Sequence, residues 1–303
     1  MKNYYLLSVL LGFGCALHAQ QDAQFSQNMY NRLSVNPAYA GSNDATCITL
    51  LGRNQWVGFE GAPKTGLISV EGPVIAAHGG FGVTIGYDQL GFEKSLGARI
   101  AYAYRTDLGP GKLGLGIDAG ILQKSINGNW VATDPVANDK SIPAAVSATA
   151  PDFTFGAYYN TTDLYFGLSA SHLAEGDLKY GSINYKMARH YYIIGGYKKD
   201  ITSSLAIMPS AWIKSDASAT IFDINCNLLY DNRFWGGLSY RFTDAIVAMV
   251  GANSGNFKFG YSYDITTSAI RGYSSGTHEI MLGYCFKTTS AKPLPRNMNV
   301  RFL

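Results

Sequence analysis

Two pairs of neighbours carry the side chains that most invite catalysis: Ser171 beside His172, and His278 beside Glu279. A serine with a histidine and an orienting Asn or Asp is the equipment of a membrane-embedded lipase. The spacing argues against it. Neighbours in a β-strand point to opposite faces, so neither pair can converge on one substrate atom. We therefore read His172, His278 and Glu279 as loop-anchoring or structural residues. No HExxH or spaced metal-ligand set occurs in the chain. Gly109-Pro110-Gly111 reads as a turn rather than a phosphate cradle, because no strand-to-helix context follows it. The residues imply no catalytic group, cofactor or metal.

The elements that hold these residues are legible from period-two patterns. In 95–105, Leu96, Ala98, Ile100, Tyr102 and Tyr104 share one face, and Arg99 and Arg105 fall on the other. In 112–121, Leu113, Leu115 and Ile117 oppose Gly114, Gly116 and Asp118; in 80–88, Phe81, Val83, Ile85 and Tyr87 oppose glycines, Thr84 and Asp88. Charge at the bilayer midplane is costly, so the apolar face is assigned to lipid and Asp88, Arg99, Arg105 and Asp118 to the lumen. Fourteen strands are expected, near 45–53, 64–72, 79–88, 94–106, 111–124, 152–160, 163–172, 189–200, 203–214, 219–230, 233–242, 245–253, 256–265 and 278–287. The fold class is all-β, a transmembrane antiparallel barrel. Even-numbered connections are short, and the odd ones include the three longest, at 125–151, 173–188 and 266–277. Outer-membrane barrels have tight periplasmic turns and longer outer loops, so both termini are expected in the periplasm.

Composition agrees. The chain is 47% hydrophobic and 13% aromatic but only 15% charged, with 34 glycines and 21 tyrosines; soluble domains carry about 25% charge. No apolar run is long enough for a membrane helix. The net charge is +3, and +2 without Lys2, too weak to argue for nucleic acid.

Residues 1–20 read as a secretory signal peptide: Lys2 precedes a short apolar stretch, and cleavage is expected near Gln20 or Gln21. Cys15 suggests lipidation, but Gly12 occupies a position that wants a branched apolar residue. Three cysteines remain, Cys47, Cys226 and Cys285, an odd number that excludes a fully paired framework and is read as small buried or lumen-facing thiols. Residues 21–44 form a separate N-terminal segment, too amide-rich for a strand, that plugs the lumen or lies beneath the barrel. The barrel occupies 45–287. The tail 288–303 holds Pro293 and Pro295 and is expected as a periplasmic extension.

The stretch Asp22-Ala23-Gln24-Phe25-Ser26-Gln27, followed by Val35-Asn36-Pro37-Ala38-Tyr39-Ala40-Gly41, resembles the N-terminal signature of the PorP/SprF family, membrane proteins of the type IX secretion and gliding systems of the Bacteroidetes. Arg53-Asn54-Gln55-Trp56, Tyr87-Asp88-Gln89-Leu90-Gly91, Tyr102-Ala103-Tyr104, Ser171-His172-Leu173, His190-Tyr191-Tyr192, Tyr261-Ser262-Tyr263-Asp264 and Gly276-Thr277-His278-Glu279-Ile280 resemble further elements of that family in order. Val57 stands where the family often has proline, and Tyr39 where it has another aromatic. The resemblance implies a non-enzymatic component that assists export or surface anchoring of a cargo protein, such as a large adhesin, through its C-terminal sorting domain. Periplasmic ring components and outer-membrane lipid are the other implied partners. Phe25, Ser26, Asn36, Pro37, Tyr39, Arg53, Asn54, Gln55 and Trp56 are then the candidates for plugging or docking. Cargo is expected at the long outer loops, with strand addition as one route. The rival readings are a channel for small or hydrophobic solutes and, less favoured, a membrane lipase.

Overall fold

The computed structural model describes residues 22–43, 45–126, 145–180 and 183–287. The expected signal peptide and tail 288–303 lie outside them, as do residues 127–144 of the connection expected at 125–151. The chain forms β1 (Thr46–Asn54), β2 (Lys64–Val74), β3 (Gly79–Leu90), β4 (Glu93–Leu108), β5 (Gly111–Ile126), β6 (Val146–Asn160) and β7 (Leu164–Ser171). A two-stranded hairpin of β8 (Asp177–Tyr180) and β9 (Ile183–Lys186) follows. The chain continues through β10 (His190–Tyr197), β11 (Lys199–Asp200), β12 (Leu205–Ser215), β13 (Thr220–Tyr230), β14 (Phe234–Arg241), β15 (Ala245–Ser254), β16 (Phe257–Thr266) and β17 (Thr277–Phe286).

Apart from the hairpin, each strand pairs antiparallel with its neighbours in sequence; β10 pairs with β7 and β12, and β1 pairs with β17. With β11 prolonging the β10 stave, this makes a closed fourteen-stave barrel. Within the closed ring each stave is bonded to a neighbour on both sides, which a sheet surrounded by lipid requires. The boundaries follow the sequence pattern closely. Two differences stand out. β6 begins at Val146 rather than 152, and 173–188 is not simply a loop but carries the β8–β9 hairpin.

Alternation decides which face each residue meets. Ile280 is 63% exposed while its neighbour Glu279 is fully buried. Ile100, Leu238 and Val250 are exposed as a lipid-facing surface would have them. The polar face is not an open, solvated interior. Leu51, Leu67, Trp235, Val247, Met249 and Met281 point inward and pack against Phe25, Met29 and Tyr30 of the N-terminal segment. Farther along, Ala38 is enclosed by Tyr158, Tyr192, Ile194 and Trp212.

The N-terminal segment therefore lies inside the barrel, not beneath it. Its first described residue, Asp22, lies beside the connection that follows β7, and it reaches the opposite mouth at Gly41, whose N–H donates to Glu71 Oε2 at 2.8 Å. The ends of the barrel at Thr46 and Phe286 are register partners and so share one mouth. Asp22 lies at the other mouth, because the segment crosses the whole lumen before β1 begins.

The cysteine expectation also changes. Cys47 and Cys285 face each other across the β1–β17 seam and form a disulfide, with Cα atoms 4.1 Å apart. Cys226 remains free and exposed, on the outer face of β13. The odd count left one thiol over; it did not prevent a pair.

Candidate functional site: the docked N-terminal segment

The segment is gripped at three places. The central grip is ionic. β1, β13, β14, β16 and β17 each turn one charged side chain inward near the long-loop mouth. Arg53 meets Asp264 at 2.9 Å and Glu279 at 3.1 Å; Arg241 meets Asp223 at 3.0 Å and Asp264 at 3.1 Å. All five side chains are almost wholly buried. Two guanidiniums against three carboxylates leave acceptors to spare, and the segment fills them. The Ser26 and Gln27 N–H groups both donate to Glu279, each at 2.8 Å. Ser26 Oγ donates to Asp264 at 2.7 Å and accepts from Arg53 at 2.8 Å and Arg241 at 3.2 Å. Gln24 and Asn28 amides donate to Asp223. A buried ion cluster is tolerable only when its members are paired and hydrogen-bonded, so the segment completes the network as much as the network holds the segment.

The second grip lies toward the short-turn mouth. Asn36 Oδ1 accepts from Ala38 N–H at 3.0 Å, capping the 3-10 turn Pro37–Tyr39. Its Nδ2 donates to the Ala157 and Leu168 carbonyls at 3.0 and 3.1 Å. Glycine makes this approach possible: a Cβ on Gly156 would lie 2.1 Å from Asn36 Oδ1, and one on Gly116 2.3 Å from Ala38 N. Arg99 donates to the Ser34 carbonyl and Arg105 to the Ala38 carbonyl. Arg32 of the segment stacks on Tyr165, 3.7 Å from the ring centroid, and donates to Tyr158 Oη.

The third grip holds Asp22. His172 Nε2 lies 2.9 Å from Asp22 Oδ1 and its Nδ1 lies 2.8 Å from Asp152 Oδ1. His190, Tyr192 and Lys214 also bond Asp22. His172 sits in the connection beyond β7. Burial disfavours its charged form, yet the Asp22 and Asp152 carboxylates outweigh that and lift its pKa to about 10. In the exposed hairpin connection, a hydrogen bond from Lys186 holds the Glu175 carboxyl below its ordinary value.

The sequence candidates fare unevenly. Phe25, Ser26, Asn36, Pro37, Tyr39, Arg53, Arg99, Arg105, His172 and Glu279 all touch the docked segment or belong to it. Asp118 is buried against Arg99 at 3.7 Å, and Asp88 accepts from Thr65 at 2.6 Å beside the long-loop cavity. Arg53-Asn54-Gln55-Trp56 does not act as a unit. Arg53 turns inward, Asn54 is exposed, and Gln55 and Trp56 form the rim, where Trp56 N–H donates to Thr277 Oγ1. His278 is not at the segment either: it lies between Tyr261 and Tyr263, its Nδ1 2.7 Å from Tyr261 Oη. Sequence does not single out Asp223, Arg241 and Asp152, and it marks His190 only within the His190-Tyr191-Tyr192 resemblance. Their inward parity near strand ends was the available signal.

The sequence profile of the type IX secretion system membrane protein PorP/SprF family matches residues 17–284. No curated protein sequence matches the chain. Solved structures similar in fold include the toluene transporter TbuX of Ralstonia pickettii, at 12% identity and a TM-score of 0.47 over 82% of this chain and 91% of that one. The translocator domain of the autotransporter NalP from Neisseria meningitidis gives 12% and 0.41, over 86% and 96%. The KdgM porin gives 13% and 0.36, over 79% and 99%.

Proposed function

The chain belongs to the PorP/SprF family of type IX secretion system membrane proteins, and from that premise we propose that it is a non-enzymatic outer-membrane component that assists export or surface anchoring of a cargo protein with a C-terminal sorting domain. The observation that carries this reading is the docked segment. Residues 22–43 cross the lumen and are held along their length, so a polypeptide passing through the barrel would have to displace three sets of buried contacts. The seam offers no substitute route while Cys47 and Cys285 are joined. Cargo is then met at a mouth, not in transit. With the long-loop mouth outward, as outer-membrane barrels place it, the cargo surface comprises the hairpin connection and the 267–276 connection. Strand addition within the closed ring is disfavoured because each stave there is flanked by two others and offers no free edge, although β6 residues 146–152 rise past β7 and pair with β5 alone. The β8–β9 hairpin keeps one, and it is where a β-rich cargo domain would add a strand. Periplasmic ring components would meet the short-turn mouth.

Affinity purification of the tagged protein from native membranes in mild detergent tests this. Co-purification of a large secreted protein through its C-terminal domain supports it. Recovery of the barrel alone, with measurable conductance in planar bilayers, overturns it. That outcome would favour a small-solute channel, the reading suggested by the cavities of about 350 and 300 Å³ that flank the segment at the two mouths.

A further inference from the structure

We propose that Asp22, His172 and His190 form a binding site for a first-row divalent cation, with zinc the best fit, that fastens the start of the docked segment to the barrel wall. The three side chains come from three separate parts of the chain: the N-terminal segment, the connection after β7 and the first residue of β10. One donor atom from each lies within 4.8 Å of the other two. Zinc binds imidazole nitrogen and carboxylate oxygen at about 2.0–2.2 Å, and two imidazoles with one carboxylate is a donor set it accepts in open sites.

The His172 imidazole is already oriented as a ligand requires. His172 Nδ1 is 2.8 Å from the Asp152 carboxylate, which directs Nε2 at Asp22, 2.9 Å away. His190 Nδ1 is 3.1 Å from the Ala188 carbonyl, which leaves Nε2 as the lone-pair nitrogen; Nδ1 is also the nitrogen nearer the Asp22 carboxylate, 4.0 Å from Oδ2, so the ring tilts to bring Nε2 to the metal. Ligating histidines characteristically carry such a carboxylate or carbonyl on the far nitrogen. The two rings meet edge to face with centroids 5.6 Å apart, and both are nearly buried while the Asp22 side chain is 34% exposed. Two further features must give way. The Asp22 N–H now donates to His190 Nε2 at 3.2 Å and would turn aside, and the cation would take the place of the proton on His172. Charge permits the exchange. Asp22 and Asp152 balance a dication, and Lys214 is engaged with the Asp22 carbonyl rather than its carboxylate. The cavity at the long-loop mouth, lined by Asp22, His172, Asp152 and Tyr192, gives entry and room for a water as fourth ligand.

Such a cation ties strand-borne ligands to the segment, so it stabilises the docked state by mass action. The test uses the full-length barrel purified in detergent, stripped with chelator and titrated with zinc chloride. The expected result is one zinc per chain, with affinity lowered about tenfold to a hundredfold in Asp152→Asn and more in His190→Gln. Zinc should also slow proteolysis within 22–43 in the wild type but not in His190→Gln. Folding of each variant is checked by the heat-dependent gel mobility of the barrel. Absence of stoichiometric zinc in the wild type overturns the proposal and leaves a hydrogen-bonded clasp. Undiminished binding in folded His190→Gln overturns it too, by placing the metal elsewhere.

Discussion

Replacing Arg53 with methionine tests the central grip most directly. The guanidinium contacts Asp264, Glu279 and Ser26 Oγ within 2.8–3.1 Å, and its side chain is 1% exposed. Its removal leaves Asp223, Asp264 and Glu279 facing a single cation, Arg241. Deleting one partner of a buried pair costs about 3–5 kcal/mol, because the remaining charge is stranded. At about 1.4 kcal/mol per tenfold, the undocked population should rise by roughly two to four powers of ten. Some of that cost falls on the segment and some on the barrel wall, which two assays separate. Proteolysis of 22–43 in the folded barrel reads undocking; denaturant unfolding reads the wall. The double variant Arg53→Met/Glu279→Gln supplies the control, since neutralising the stranded carboxylate should recover part of the loss and give a coupling energy of 0.5–3 kcal/mol by order of magnitude. Protection of the segment and wall stability both within about 0.5 kcal/mol of wild type would refute the claim that this cluster holds the segment.

Gly116→Val should expel the second grip, since its first added atom would lie 2.3 Å from Ala38 N, whereas Gly66→Ala, with nothing within 4 Å, should leave it in place; protease sensitivity of 34–41 distinguishes them. Asn36→Ala removes one cap acceptor and two donor bonds and should weaken docking by about 1–3 kcal/mol, read by the same proteolysis. Cys47→Ser should abolish the mobility difference between oxidised and reduced barrel. It should lower unfolding stability by at most about 5 kcal/mol, the chain-entropy value for a long loop, with the segment still docked; loss of docking would place the seam in the grip.

The sequence alone determined the class, the membrane-facing surface and most strand limits. These depend on period two, a local property: Ile100 and Arg99 are sorted to opposite faces by the pleat wherever the strand ends up. It also separated 22–43 from the strands and marked Ser26, Asn36 and Arg53 as unlike their surroundings. What it could not decide was company. Arg53 meets Asp264 across 211 positions and Ser26 meets Glu279 across 253, and only register around a closed ring brings such residues within bonding distance. Alternation says that Asp223 and Arg241 face inward; it does not say at what height, or beside whom. Cys47 and Cys285 became partners only when β1 was zipped to β17. The path of the N-terminal segment was decided the same way. Its residues carry no period to follow, and their place in the lumen comes from glycines on β5 and β6, carboxylates on β16 and β17, and a histidine beyond β7, which the fold alone assembles around it.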